Sequence, residues 1–196
     1  KQVRENFQKL TSFTRFTDSM PMAITLERNN IIELNPDDYE NSVNIRKNYS
    51  VTEKTDGERS ILFINEDGDI YLVNRQNNIK KIGVKSLNCQ NTVIDGEFVD
   101  KNLSGKPIRL FLAFDIYFSC GKDFRENILM RSSKDIEEGE YDKSRLEELE
   151  DIIQKLDLEK ESAENDFSIE KKIFKFGNVI EDEVDYTNII EERQEY

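Results

Sequence analysis

One lysine in this sequence begins a motif that could carry covalent chemistry. The motif residues, in chain order, are Lys54-Thr55-Asp56-Gly57-Glu58-Arg59, then Asp95-Gly96-Glu97, then Phe114-Asp115. A lysine amine can attack phosphorus and hold a nucleotide through a phosphoramidate bond. Three such motifs in order are much less common by chance than one short motif. The residues therefore predict nucleotidyl transfer, with Lys54 as the nucleophile.

The Lys54 amine must be neutral when it attacks, because an ammonium group has no free electron pair. Its acidic neighbours Glu53, Asp56 and Glu58 favour the charged form. A cation must oppose them, and Arg59 or a bound divalent metal could do so. The alternative interpretation is a surface lysine in a charged turn.

The segment between residues 49 and 118 has the pattern of an antiparallel sheet. Short β-rich runs alternate with turn signals, such as the predicted hairpin turn at 66–69. The apolar run Ile108 to Phe118 predicts a buried strand, in which Asp115 must be paired or functional. We also expect a tight turn at Asp95-Gly96, although Asp67-Gly68 has the same dipeptide with no claim to function.

Helical patterns lie on both sides of this segment. Phe7, Leu10, Phe13 and Phe16 recur at three-residue spacing, so residues 1–20 predict a short amphipathic helix that acts as a linker or docking segment. A second helix is predicted by the apolar stripe Leu146, Leu149, Ile152, Ile153 and Leu156. Helices beside an antiparallel sheet indicate an α+β fold.

Charge is distributed unevenly in this chain of net charge −13. Residues 135–196 hold 22 acidic and 8 basic side chains, whereas residues 1–134 hold 19 acidic and 20 basic ones. The nearly neutral motif region argues against a broad electrostatic grip on duplex nucleic acid. Without histidine, a Cys/His zinc site is excluded and so is the commonest general base. Two cysteines are too few for a disulfide framework, so we expect a reducing compartment.

The three motifs resemble those of the mRNA capping guanylyltransferases, a branch of the covalent nucleotidyltransferases that also contains the polynucleotide ligases. The resemblance covers about residues 49–118. It implies that Lys54 forms the covalent bond. The nucleotide-binding residues that it implies are Thr52, Glu53, Asp56, Gly57, Arg59, Arg75, Glu97, Phe114 and Asp115. Thr55 is more similar to capping enzymes than to ligases, and the stretch 21–26 is similar to capping proteins of large DNA viruses.

The same resemblance implies a two-step reaction. Lys54 takes GMP from GTP with Mg²⁺ or Mn²⁺ as cofactor, and the GMP then passes to the 5′-diphosphate end of RNA. Triphosphatase and methyltransferase domains or subunits would be partners, no membrane would be involved, and the location would be the cytoplasm, a viral factory or the virion. Two alternatives stay open: an ATP-dependent ligase that carries AMP on Lys54, and a non-catalytic module with the same fold.

The implied fold is a ligase-type, ATP-grasp-like nucleotidyltransferase domain with an antiparallel sheet and flanking helices. It would occupy residues 21–196, with the motif core at 49–118 and an acidic helical and strand region at 135–196. The later family motifs have no clear counterpart, so we expect the C-terminal part and an OB-fold to be missing. We interpret Lys171, Lys172 and Lys175 as solvated residues.

The sequence allows two competing roles for Phe114. The resemblance implies that its ring stacks on the purine, an interaction worth about 1 to 3 kcal/mol. Strand alternation instead places Phe114 on one face with Leu112, Ile116 and Phe118, which favours packing in the core.

Overall fold

The computed structural model describes residues 1–35, 38, 42–45, 49–102, 104–131, 133–139 and 142–176. The chain forms two compact units. The first contains residues 1–21 and 55–172, and the second contains residues 22–54 and the chain from residue 173. Within the described ranges, no helix combines the length and the apolar character that crossing a bilayer requires.

The helices are α1 (Gln2–Thr11), α2 (Ser133–Glu138) and α3 (Arg145–Lys155), with 3₁₀ turns at Phe16–Ser19 and Arg28–Asn30. The strands are β1 (Ser50–Thr52), β2 (Glu58–Ile64), β3 (Asp69–Asn74), β4 (Ile79–Lys85), β5 (Thr92–Lys101), β6 (Pro107–Ser119), β7 (Lys122–Asp123), β8 (Glu159–Lys160), β9 (Ser168–Lys171) and β10 (Phe174–Phe176).

One sheet dominates the first unit. Its strand order is β7-β6-β5-β2-β3-β4-β8, and these neighbours pair in antiparallel fashion. The predicted α+β fold with an antiparallel sheet is thereby confirmed. β9 was not foreseen as a parallel partner of β6. Parallel pairing needs a crossover connection, and the chain between these two strands contains α3.

Aromatic side chains from the start of the chain pack on the sheet. Phe7 of α1 and Phe16 of the 3₁₀ turn are almost fully buried, and their rings stack with centroids 4.0 Å apart. Both rings also contact Phe63 of β2 edge-on. The sequence predicts a linker or docking segment at residues 1–20, and in the structure these residues belong to the same unit as the sheet.

The predicted helix beyond residue 135 is confirmed as α3. Its start is fixed by a capping box, in which the Ser144 hydroxyl accepts from the amide of Glu147 and the Glu147 carboxylate accepts from the amide of Ser144. Hydrogen bonds from Arg131 lower the pKa of Glu147 to about 2. The side chains that α3 buries are Leu146, Leu149 and Ile152.

The two Asp-Gly pairs have different structures. Gly68 occupies the predicted turn between β2 and β3 with a φ of 80°. Asp95-Gly96 lies inside β5, so the tight turn predicted there is wrong. A Cβ atom at Gly96 would lie only 2.4 Å from Cζ of Phe111. Glycine is needed at this point because an aromatic ring lies directly against the strand.

The second unit contains the strand that precedes Lys54. β1 pairs with β10 in antiparallel fashion, with Thr52 opposite Phe174. The side-chain amide of Asn44 donates to the carbonyl oxygens of Asn29 and Ile32, which ties residues 42–45 to the 3₁₀ turn at Arg28–Asn30.

Candidate active site

A buried ion pair joins the first two motifs within the first unit. β2 and β5 are neighbours, with Arg59 opposite Glu97 and Ile61 opposite Asp95. Arg59 donates from Nε to Oδ1 of Asp95 at 3.2 Å and from Nη2 to Oδ2 at 2.6 Å. Its Nη1 donates to the carbonyl oxygen of Pro21 at 2.7 Å. This paired geometry fixes the plane of the guanidinium group.

The environment keeps the Arg59 guanidinium charged. Desolvation by burial acts to lower its pKa, but the hydrogen bonds and the charge of Asp95 outweigh that effect, so the pKa of Arg59 is raised. Asp95 is fully buried and accepts a further hydrogen bond from the Tyr117 hydroxyl at 2.7 Å. Arg59 is therefore a fixed cation within the site.

Phe114 leaves the expected alternation of β6. Asp95 pairs with Asp115 and Gly96 pairs with Ala113, so Phe114 is an extra residue that has no partner on β5. Such a bulge redirects a side chain, and bulges are common beside active sites. The bulge interrupts the strict two-residue alternation on which the predicted shared face of Phe114, Leu112 and Ile116 depends.

Two cations contact the half-buried ring of Phe114. The Arg59 guanidinium carbon lies 5.5 Å from the ring centroid, and the Lys172 ammonium nitrogen lies 5.7 Å from it. Both distances are within the range of a cation–π interaction. The ring thus has two charged groups within cation–π distance.

Lys172 completes this cluster, and its interpretation as a solvated residue is wrong. Its side chain is only 6% exposed, and its Nζ lies 3.6 Å from Oε2 of Glu97. The amide of Lys172 donates to the carbonyl oxygen of Ala113 at 2.7 Å, which extends the pairing between β9 and β6. Its neighbour Lys171 has a more exposed side chain and pairs with Glu150 of α3.

Gly57 makes room for the Glu97 side chain. A Cβ atom at Gly57 would lie 2.7 Å from Cγ of Glu97 and 2.8 Å from the carbonyl oxygen of Phe98. Any other residue would displace one of these groups. The glycine of the first motif is therefore required by packing.

Asp115 contacts a different group from its neighbour Phe114. Its carboxylate accepts from Nε of Arg145 at 2.7 Å and from Nη2 at 3.1 Å, and it also accepts from the amide of Ile116. Burial raises the pKa of Asp115 despite the opposing effect of Arg145. The carboxylate holds α3 against β6, and its predicted contact with nucleotide stays a prediction.

The remaining predicted residues are divided between the two units. Asp56 is exposed and precedes β2, and Arg75 is exposed in the turn between β3 and β4. Within the second unit, Thr52 donates its hydroxyl to the carbonyl oxygen of Ile173 at 2.7 Å. Glu53 and Lys54 follow β1 in that unit, and Lys54 is exposed. Their predicted roles stay predictions.

The structure therefore brings together residues of all three motifs and adds two that the sequence analysis missed. The clustered residues are Arg59, Asp95, Glu97 and Phe114, and the added ones are Lys172 and Tyr117. A fully buried aspartate needs more than one donor, which is the signal that could have indicated Tyr117.

The cluster combines one aromatic ring with two cations and two carboxylates, and each cation is paired with a carboxylate. Among the residues that the structure describes, no group of three or more Asp, Glu or Cys side chains could hold a metal. Glu97 supplies one carboxylate, and Mg²⁺ sites often combine one or two carboxylates with phosphates of the substrate. The residues on their own do not form a metal cage.

Comparison with known proteins agrees with these motifs. Residues 1–188 match the family "mRNA capping enzyme, catalytic domain". A probable mRNA-capping enzyme of Acanthamoeba polyphaga mimivirus is 37% identical over 102 residues, which are 51% of this chain and 8% of that protein. The chain thus spans a small part of the viral relative. Because the family match includes all three motifs and most of the chain, the protein belongs to the mRNA capping enzyme catalytic-domain family.

Proposed function

We propose that this protein is an mRNA guanylyltransferase that carries GMP on Lys54 and delivers it to the 5′-diphosphate end of RNA. Family membership and the order of the motifs support this assignment. The single observation that carries it furthest is the Phe114 ring, which a bulge removes from the strand alternation and which Arg59 and Lys172 contact. An aromatic ring among cations suits a nucleotide, which has both a base and phosphates.

The proposed first step forms an N–P bond and breaks a P–O bond. The neutral Nζ of Lys54 attacks the α-phosphorus of GTP, pyrophosphate leaves with the electrons of the P–O bond, and the proton on Nζ passes to solvent. In the second step a terminal oxygen of the RNA diphosphate attacks the same phosphorus. The N–P bond breaks, and Nζ takes up a proton.

The cluster in the first unit would bind and orient the nucleotide. Phe114 offers a partly exposed face on which a base can stack. Lys172 and the outward N–H groups of Arg59 would donate to polar atoms of the nucleotide, and Glu97 would accept from ribose hydroxyls. Asp115 would act indirectly, because it holds α3 in place through Arg145.

Capping enzymes of this family use GTP with a divalent metal, here Mg²⁺ or Mn²⁺. When bound, the metal would neutralise charge on the triphosphate. Glu97 is the carboxylate of the cluster that could reach it, together with oxygens of the substrate. We also propose the ligase-type, ATP-grasp-like arrangement for the domain, and triphosphatase and methyltransferase activities as its partners in capping.

The direct test is covalent labelling. The purified protein is incubated with α-labelled GTP or ATP and Mg²⁺ or Mn²⁺, and label that survives denaturing electrophoresis is measured. We expect label from GTP alone. Label from ATP alone would make the protein a ligase, and label from neither would leave a non-catalytic module.

The site of attachment is tested by substitution and by bond chemistry. Lys54→Arg should abolish labelling, because a guanidinium group is too basic to supply a neutral nucleophile. Lys106→Arg is the matched control, since Lys106 is exposed beyond β5 and outside the motifs. The adduct should survive alkali and be lost in acid, as a phosphoramidate is. Retained labelling of the Lys54 variant would remove this residue from its role.

A further inference from the structure

We infer that Tyr117 is a positioning residue of the nucleotide site, and this inference rests on the proposed guanylyltransferase function. Tyr117 belongs to none of the three motifs. Its hydroxyl group acts on Asp95, and through Asp95 on the guanidinium group of Arg59. Tyr117 itself need not touch the nucleotide.

The hydrogen bonds form a short buried chain. Oδ2 of Asp95 accepts from the Tyr117 hydroxyl at 2.7 Å and from Nη2 of Arg59 at 2.6 Å. Asp95 is fully buried and Tyr117 is 7% exposed, so water does not substitute easily for either donor. The orientation of the Asp95 carboxylate, and with it the plane of the guanidinium group, therefore depends on the Tyr117 hydroxyl.

The irregular pairing of β6 with β5 places Tyr117 beside Asp95. A second register shift lies between Val93 and Ile94, which pair with Phe118 and Ile116 and leave Tyr117 as an extra residue. Phe114 is the extra residue of the shift between Asp95 and Gly96, and a third shift lies further along, between Val99 and Lys101. Two bulges around Asp95 thus present two aromatic residues to the same ion pair, one to Arg59 and one to Asp95. A strand that only had to pair with β5 would need neither bulge.

The two donors of this chain, Tyr117 and Arg59, keep their protons near neutral pH. Burial, together with the charge of Asp95, raises the pKa of Tyr117 far above its ordinary value. The pKa of Arg59 is raised as well, since Asp95 outweighs the desolvation of the guanidinium group. The phenol therefore always donates and the guanidinium group always carries its charge.

Tyr117→Phe removes only the hydroxyl group and keeps the ring in the core, where it packs with Ile61 and Phe63. We expect the KM for GTP in lysyl-GMP formation to rise about 3- to 10-fold, with the rate at saturating GTP changed less than about twofold. The matched control is Tyr71→Phe, because the Tyr71 hydroxyl also lies beside an aspartate, Asp69, but outside the cluster. It should leave the KM unchanged.

A double substitution tests whether the effect passes through Arg59. In an Arg59→Lys background, the lysine at position 59 cannot form two parallel hydrogen bonds to Asp95. Adding Tyr117→Phe to this background should therefore raise the KM by a further factor of less than about two. Full additivity would overturn the inference. A lower thermal midpoint of Tyr117→Phe with an unchanged KM would also overturn it, because the hydroxyl would then only stabilise the fold.

The proposed function and this inference can fail separately. If the wild-type protein forms lysyl-GMP but Tyr117→Phe and Tyr71→Phe behave alike, the inference is wrong and the function stands. If the wild-type protein neither binds GTP nor is labelled by it, the proposed function is wrong and the inference falls with it.

Discussion

Replacing Lys172 by methionine tests the cluster most directly, because the neighbouring lysine provides a matched control. Methionine keeps an unbranched apolar stem and removes the ammonium group. The Lys172 side chain is 6% exposed and that of Glu97 is 18% exposed, whereas those of Lys171 and its partner Glu150 are 30% and 45% exposed. Two lysines adjacent in the chain therefore lie in very different environments.

The expected cost follows from this difference in burial. Removing one partner of a buried pair costs about 3 to 5 kcal/mol, because the other charge stays behind. The Nζ–Oε2 distance of 3.6 Å is longer than a hydrogen bond and Glu97 is partly exposed, so we expect about 1 to 3 kcal/mol for Lys172→Met. Lys171→Met should cost about 0 to 1 kcal/mol, as exposed pairs do.

Urea unfolding and the KM for GTP measure the two effects separately. Lys172→Met should lower the urea midpoint and raise the KM about tenfold or more, since a hydrogen bond from a charged donor is worth about 1.5 to 3 kcal/mol. Adding Glu97→Gln should restore part of the stability by removing the unpaired charge, without restoring GTP affinity. If Lys171→Met and Lys172→Met shift both quantities equally, Lys172 is an ordinary surface lysine and the cluster is wrongly assigned.

Substitutions at Phe114, and at Gly96 beside Phe111, test the contacts of two aromatic residues. Phe114→Ala should weaken GTP binding by about 1 to 3 kcal/mol and Phe114→Tyr should be tolerated, because the ring face is what a base would use. An intact KM with a lower thermal midpoint would instead make the ring a packing residue. Gly96→Ala should destabilise the fold by about 1 to 3 kcal/mol, since its Cβ would lie 2.4 Å from Cζ of Phe111. Phe111→Leu in that background should restore part of the loss, and no rescue would refute the steric explanation.

Local patterns in the sequence were sufficient for the sheet and for α3. Short β-rich runs between turn signals at residues 49–118 correspond to strands such as β2 and β6, which are buried along most of their length. The stripe from Leu146 to Ile152 reflects one buried helix face. The motifs were also found, because each is a short run of residues. Which strands are neighbours was not predictable, because β2 pairs with β5 although β3 and β4 lie between them in the sequence. The contact between Arg59 and Asp95 therefore depends on the strand order, which the motifs alone do not indicate.

The prediction for Phe114 rested on the assumption that a strand keeps a strict two-residue alternation. Two bulges in β6 break this rule at Phe114 and Tyr117, and no residue type marks them. The rule, correctly applied, would have helped at Lys171 and Lys172. Consecutive strand residues point to opposite faces, so a strand with both faces covered must direct one of the two lysines inward. The interpretation of both as solvated ignored that constraint.

The two ion pairs of the cluster differ in burial and in distance, and we therefore expect them to have different roles. The Arg59–Asp95 pair has hydrogen bonds of 3.2 and 2.6 Å to a fully buried carboxylate. Displacing Arg59 would leave that carboxylate buried without its cation, and a ligand contact does not easily offset the free-energy cost of a buried unpaired charge. The Lys172–Glu97 contact of 3.6 Å is longer, and Glu97 is partly exposed. If a nucleotide binds here as we propose, we expect it to recruit Lys172 and Glu97 at a smaller cost than Arg59 and Asp95, which would keep the geometry of the site unchanged.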